Sequence, residues 1–178
     1  MYYFTSDFHL GHFNIIRYCN RPFKSVEEME NTIIRNWNER VKEEDTVFFL
    51  GDFCLKKSKE APEGRTFEWY RKRLQGNIIF IRGNHDGNNS TKTIIESVVI
   101  EHGGKRIFMT HNPKFAKVDF QWNLCGHTHG KYGKITRLDK KSVIIDISVE
   151  NWDYRPVDIN EINQAYSIWL KSGEKSCK

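Results

Sequence analysis

The chain is 178 residues long, 38% hydrophobic and 29% charged, with a mean hydropathy of -0.66. That length fits one domain and not two. The composition excludes a disordered chain, a collagen, a coiled coil and a membrane span, which needs about 20 continuous apolar residues. The net charge of +5, from 28 Lys and Arg against 23 Asp and Glu, favours anionic partners without choosing among them. Cys19, Cys54, Cys125 and Cys177 are widely spaced with no CxxC pair, which argues against a disulfide scaffold and against a thiolate zinc site. The chain opens on Met1-Tyr2-Tyr3-Phe4-Thr5 with no basic leader, so a reduced, cytoplasmic protein without a membrane partner is expected.

In chain order, short β-branched or aromatic runs each lead into a polar residue able to hold a metal. Tyr2–Thr5 leads to Asp7 and His9, and Thr46–Leu50 to Gly51-Asp52. Ile78–Ile81 leads to Gly83-Asn84-His85-Asp86, Arg106–Met109 to His111, and Trp122–Cys125 to Gly126-His127-Thr128-His129. Runs this short, followed by turn residues, read as buried strands. Between them, Ser25-Val26-Glu27-Glu28 is a capping box opening a helix with Met29, Ile33, Ile34, Trp37 and Val41 on one face. A second helix is expected over Thr66–Leu74, a third after Ser90, and a last one carrying Ile159, Ile162, Tyr166, Trp169 and Leu170. Gly130–Gly133 and Leu138–Lys141 are expected to turn two hairpins. The domain is expected over residues 1–171, with 172–178 a frayed basic tail.

Strands alternating with helices, with polar residues at strand ends, describe an α/β fold whose crevice lies beyond the strands' carboxyl ends. Helices on both outer faces and a strand-rich second half predict two packed mixed sheets in a helical coat. Residues two apart on an extended strand share a face, so Asp7 with His9, and His127 with His129, can approach one ion; a local twist would instead send the last pair to neighbouring ions. The donors are carboxylate, imidazole and amide oxygen with no thiolate, which suits divalent first-row ions. Singly, each Asp reads as a turn or cap residue and each His as an ordinary side chain. Their joint order at strand ends is what points to metal.

The blocks Asp7-x-His9, Gly51-Asp52, Gly83-Asn84-His85-Asp86, His111 and Gly126-His127-x-His129 resemble, in the same order, the five blocks of the metallophosphoesterases, also called calcineurin-like phosphoesterases. The segment Glu150–Val157 resembles the ending of small bacterial and phage members. The resemblance implies a single-domain αββα sandwich without a cap. It implies one metal held by Asp7, His9, Asp52 and His129 and a second by Asp52, Asn84, His111 and His127. Asp52 would bridge two ions about 3.5–4 Å apart, and a hydroxide held between them would attack phosphorus. Mn, Fe, Zn, Ni and Co all suit such ligands, with Mn favoured. His85 would stabilise the phosphate or protonate the leaving oxygen, and Asp86 would orient it. His12, Arg17 and Arg21 are candidate substrate contacts: His12 would open a helix facing the metals, and either arginine can grip a phosphate.

The function implied is metal-dependent phosphoric ester hydrolysis. A diester is favoured over a monoester, because short members without a cap tend to be phosphodiesterases of modest selectivity. The substrate expected is a small phosphodiester or a nucleotide, selected by loops such as Lys56–Gly64 and Gly87–Thr93. A nuclease acting on DNA or RNA ends is the alternative, disfavoured because such members carry further domains. A non-catalytic scaffold with the same fold is the weakest reading, since His85 and every expected ligand are present. His102, Trp152, Tyr154 and Trp169 are read as turn and packing residues.

Overall fold

Short apolar runs pair into two sheets that share one buried layer. The computed structural model describes residues 1–55, 65–86 and 91–174. In chain order these form β1 (Tyr2–Thr5), α1 (Phe13–Tyr18), α2 (Val26–Asn38), β2 (Thr46–Phe49), α3 (Phe67–Arg71), β3 (Asn77–Phe80) and β4 (Ser97–His102). There follow β5 (Lys105–Thr110), β6 (Trp122–Cys125), β7 (Ile135–Arg137), β8 (Val143–Asp146), β9 (Val157–Asp158) and α4 (Ile159–Lys171). The loop Lys56–Gly64, residues Gly87–Ser90 of the second expected specificity loop, and Cys177 lie outside the described residues.

The first sheet has the order β3-β2-β1-β9, with β1, β2 and β3 parallel and β9 antiparallel. The second has the order β4-β5-β6-β8-β7, with β5, β6 and β8 parallel and the two edge strands antiparallel. Period-two alternation sorts the side chains of the first sheet. Tyr3, Val47 and Phe49 join the cluster beneath α1 and α2, whereas Phe4, Phe48 and Leu50 join the cluster between the sheets. From the second sheet, Ile107, Met109, Trp122, Leu124, Val143 and Ile145 meet them there.

Helix α2 is held by its expected face: Met29, Ile33 and Trp37 are fully buried, as is Val41 just beyond its end. Each contributes roughly 1.5–3 kcal/mol through burial. Ser25 Oγ accepts from Glu28 N at 3.1 Å, but Glu28 does not complete a reciprocal box, because its carboxylate takes Lys24 N at 2.7 Å instead. The full reciprocal box belongs to α4, where Asp158 and Glu161 cap each other's backbone. Ile162 and Trp169 of α4 enter the inter-sheet cluster. The helical coat is therefore uneven: the outer face of the second sheet, at Phe108 and Asn123, is packed by Phe120 and the Lys117 segment. Trp152, with Nε1 donating to Asp146 O at 2.8 Å, and Trp169 are core residues, as expected.

Three expectations are corrected. Among the described residues no helix lies between Ser90 and β4; the run Ser97–His102 pairs with β5 from Ser97↔Thr110 to His102↔Lys105. The turn is Gly103-Gly104, both at positive φ (58° and 72°), as a two-residue hairpin demands. His102 ends β4, half-buried, with its ring 5.6 Å from that of Tyr2. The Gly130–Gly133 turn does form, with Gly133 N donating to Gly130 O at 2.9 Å, but the strands it links are not neighbours. Strand β8 lies between β6 and β7, so the hairpin here is β7–β8, turned by Leu138–Lys141. Helix α3 is also shorter than Thr66–Leu74, although Thr66 is its cap.

Candidate metal centre

The parallel strands of both sheets deliver their carboxyl ends to one place. Ser6 bridges to Ser148, Leu10 bridges to Cys54, and Gly126 N donates to His111 O at 2.9 Å. Beyond the strand ends the chain is not extended. Asp7, His9, Asp52, His127 and His129 have φ of 60°, 50°, 59°, 72° and 50°, the left-handed region. Alternation along a strand is therefore not what brings Asp7 to His9, since β1 ends at Thr5. Each such residue costs roughly 1–2 kcal/mol, and strain of this kind concentrates where the surroundings fix a functional side chain.

Those surroundings are visible. Asp7 N donates to Gly51 O, and His9 N to Asp52 O, both at 3.0 Å. Two glycines allow the close approach. A Cβ on Gly83 would collide with the Asp52 carboxylate and amide, and one on Gly126 with the Asp7 carboxylate.

Asp7 is fully buried, and its two oxygens differ. Oδ2 accepts from Ser6 Oγ (2.5 Å), His127 N (2.9 Å) and Ser148 Oγ (3.1 Å), whereas Oδ1 has no hydrogen-bond partner. His9 Nε2 is likewise buried and unpartnered. Leaving such atoms unmatched costs about 1–3 kcal/mol each, more for a charged group, unless something outside the chain satisfies them. His9 Nε2 stands 3.8 Å from Asp7 Oδ1 and 3.5 Å from Asp52 Oδ2, and His129 Nε2 stands 3.7 Å from Asp7 Oδ1. On the other side, His111 Nε2 lies 3.4 Å from Asp52 Oδ2, and Asn84 Oδ1 is 2.8 Å from both His111 Nε2 and His127 Nδ1. Nitrogen and oxygen ligands about 2.1 Å from a shared ion lie about 3–3.5 Å apart, so these separations approximate the edges of coordination polyhedra. The carboxylate and imidazole donors fit a divalent cation, in the groups Asp7, His9, His129 and Asp7, Asp52, His111. His127 and His129 diverge: the ring of His127 lies 5.2 Å from that of His111, and that of His129 lies 5.2 Å from that of His9.

Protons register the same field. Burial pulls His9 well below the usual imidazole value and also lowers His127. At His111 burial is outweighed by the Asp52 carboxylate and the nearby Asp7, which lift it to about 9. His129 rises to about 11 against its own burial, through Cys19, Glu150 and Asp7. Asp52 falls to about 2 although burial opposes it, because His111 and His9 face it. The carboxylates demand positive charge at this spot.

The orienting groups were only partly anticipated. His111 Nδ1 donates to Leu50 O at 2.7 Å, which turns Nε2 toward Asp52 and Asn84. His129 Nδ1 meets Glu150 Oε1 at 2.9 Å, and Glu150, placed by the 3-10 turn Val149–Asn151, was not singled out in the sequence. No local pattern marks it. Arg21 is not a substrate contact. Its side chain is wholly buried, and its donors reach Asp7 O (2.7 Å), Phe8 O (2.8 Å), Met29 Sδ (3.2 Å) and Glu150 Oε1 (2.6 and 2.9 Å). Five bonds saturate the five N–H groups of a guanidinium. Asp86 does not orient His85 either. The tight turn from Gly83 sends its carboxylate inward, to Asp52 N and Gly83 N (both 2.8 Å) and Phe53 N (3.4 Å). It braces the backbone of Asp52. His85 is exposed, its amide donates to Asp52 Oδ1 at 2.9 Å, and its ring lies 5.3 Å from that of His9. His12 stands at the N-cap position of the six-residue α1 without a side-chain capping bond, its ring 5.8 Å from that of His9, while Arg17 is exposed on the last turn of α1.

A two-sheet α/β fold with a carboxylate–histidine cluster at the joined strand ends defines a class of metal-binding hydrolase folds. The calcineurin-like phosphoesterase superfamily domain matches residues 3–144, and the chain belongs to that superfamily. An uncharacterised protein of Methanocaldococcus jannaschii is 40% identical over 163 residues, covering 90% of this chain and 88% of its own length. The gene 66 protein of Mycobacterium phage L5 is 35% identical over 85 residues, covering 48% of this chain and 39% of its own. Among solved structures, a protein of unknown function from Aquifex aeolicus superposes with a TM-score of 0.66 at 25% identity, covering 93% of this chain and 98% of that one. Among the described residues no helix is long and apolar enough to cross a membrane.

Proposed function

We propose that the chain is a binuclear metal-dependent phosphodiesterase. Asp7, His9, Asp52 and His129 would hold one ion, and Asp52, Asn84, His111 and His127 the other. The observation that carries this reading is the position of Asp52 Oδ2, 3.5 Å from His9 Nε2 and 3.4 Å from His111 Nε2, beside the unpartnered Asp7 Oδ1. When bound, two such cations acidify a shared water and neutralise phosphoryl oxygens. The chain supplies the rest. Glu150 and the Leu50 carbonyl hold the rings of His129 and His111 with Nε2 facing inward. His85, exposed at the rim, reaches a departing ester oxygen and donates a proton to it. His12, whose ring neighbours that of His9, faces the same anion. The diester reading is supported by exposure: Asn84 and His85 open to solvent, which leaves room for a substituent on each side of phosphorus.

The test is a chelated, metal-reconstituted panel: an activated diester, the matching monoester, a 2′,3′-cyclic nucleotide and single-stranded DNA, with elemental analysis of each preparation. Two ions per chain with the diester turned over fastest is the expected result. No more than one ion at saturation refutes the binuclear centre. Two ions without turnover of any ester would make the chain a metal-binding scaffold, and DNA as the best substrate would make it a nuclease.

A further inference from the structure

A cavity of about 410 Å³ is lined by Asn84 and His111 of the proposed second ion site together with Phe108, Phe115 and Lys117. Its size falls within the range of small-molecule sites. A larger hollow of about 610 Å³, at Arg137, Lys140 and Tyr166, touches none of the proposed ligands.

Phe115 is 67% exposed, and hydrogen bonds hold the backbone of its turn. It ends the 3-10 helix Pro113–Phe115, which begins just after His111. Asn112 Oδ1 caps Lys114 N at 3.0 Å, and Phe115 N donates to Asn112 O at 3.0 Å. The following Lys117 is fixed at its backbone by Asn123, which accepts from its amide at 2.7 Å and donates to its carbonyl at 3.1 Å. Its ammonium lies 4.8 Å from the Phe108 ring centre. The wall beside Asn84 carries a second cation, Arg82. An exposed ring, in a cavity that Arg82, Lys117 and Glu96 also line and that reaches the proposed phosphoryl site, matches one ligand chemistry: a planar ring with polar edges carried on a phosphate.

We propose that this cavity holds the base of a nucleotide-type ester, stacked on Phe115 with Lys117 and Arg82 at its polar edge, while the phosphate lies at Asn84 and His111. The placement of the phosphate rests on the phosphoesterase reading; the stacking does not. Specificity then resides in the chain after His111, and aliphatic esters lose the stacking contact.

Calorimetric binding of adenosine 5′-monophosphate and of ethyl phosphate to the manganese-loaded chain tests this, in the unmodified protein, Phe115→Ala and Phe115→Tyr. The nucleotide should bind about 5- to 100-fold more tightly than ethyl phosphate, the span that stacking on one aromatic ring supplies. Phe115→Ala should remove that preference and leave ethyl phosphate unchanged, and Phe115→Tyr should retain it. Equal affinities in the unmodified protein, equal losses of both ligands in Phe115→Ala, or no nucleotide binding at millimolar concentration would overturn the inference. A nucleotide preference without hydrolysis of any diester supports the pocket and removes the catalytic reading. Diester hydrolysis with equal affinities does the reverse.

Discussion

Glu150 makes the sharpest claim on the proposed metal centre without being one of its proposed ligands. Its Oε1 is shared by His129 Nδ1 at 2.9 Å and by Arg21 Nε and Nη2 at 2.9 and 2.6 Å. The Arg21 side chain has no solvent exposure and that of Glu150 has 10%, so water cannot replace the carboxylate. Glu150→Ala leaves a buried guanidinium with two orphaned donors, a loss of about 3–5 kcal/mol. In a chain of this size about 2–4 °C of Tm accompanies each kcal/mol, so the metal-free variant should melt roughly 6–20 °C lower. The imidazole of His129 also loses the partner that fixes its orientation, which typically weakens metal binding about 10- to 100-fold. That loss should fall on the ion bound by His9 and His129 and spare the one at Asn84 and His111. Glu150→Gln keeps an acceptor oxygen without its charge and should show the same split with smaller changes. The assays are urea denaturation in chelator and two-site metal titration by calorimetry. A Glu150→Ala protein of unchanged stability, or one that loses both ions equally, would refute the reasoning.

Asp52→Ala should abolish occupancy of both ions together with activity, whereas His85→Ala should keep both ions and lower turnover about 10²–10⁴-fold; elemental analysis beside steady-state kinetics separates the two. Gly83→Ala should cost about 1–3 kcal/mol and weaken metal binding, because its methyl group meets Asp52; a neutral result in denaturant would deny that the close approach matters. Metal loading should release protons. With His111 at about 9 and His129 at about 11, both rings are protonated at pH 7 in the metal-free chain, so close to two protons leave on loading. Apparent affinity for each ion should then climb by up to about tenfold per pH unit through neutrality, read as buffer-dependent calorimetric heats, and no buffer dependence would contradict it. In the metal-free protein these raised values stabilise the fold fully below the unfolded imidazole value of 6.5, and the contribution is lost as pH rises through 9 and then 11.

Much of the cluster was legible in the chain because its carboxylates and imidazoles follow strands. A buried run such as Thr46–Phe49 must end in a turn, and Asp52 appears just past it; the same local rule marks Asp7, Asn84, His111 and His127. The face of α2 was legible for the same reason, since a 3.6-residue period is written in neighbouring positions. Only the tertiary structure decided that Arg21 turns inward and that Glu150 meets it across 129 positions of chain. It alone decided that Asp86 braces a backbone and that β8 lies between β6 and β7. It also bent Asp7 and His9 into left-handed conformations that no strand period describes. Sequence patterns record what a residue does relative to its near neighbours. Contacts between distant segments are settled by which buried charges and amides must satisfy one another when two sheets close, and that leaves no periodic trace.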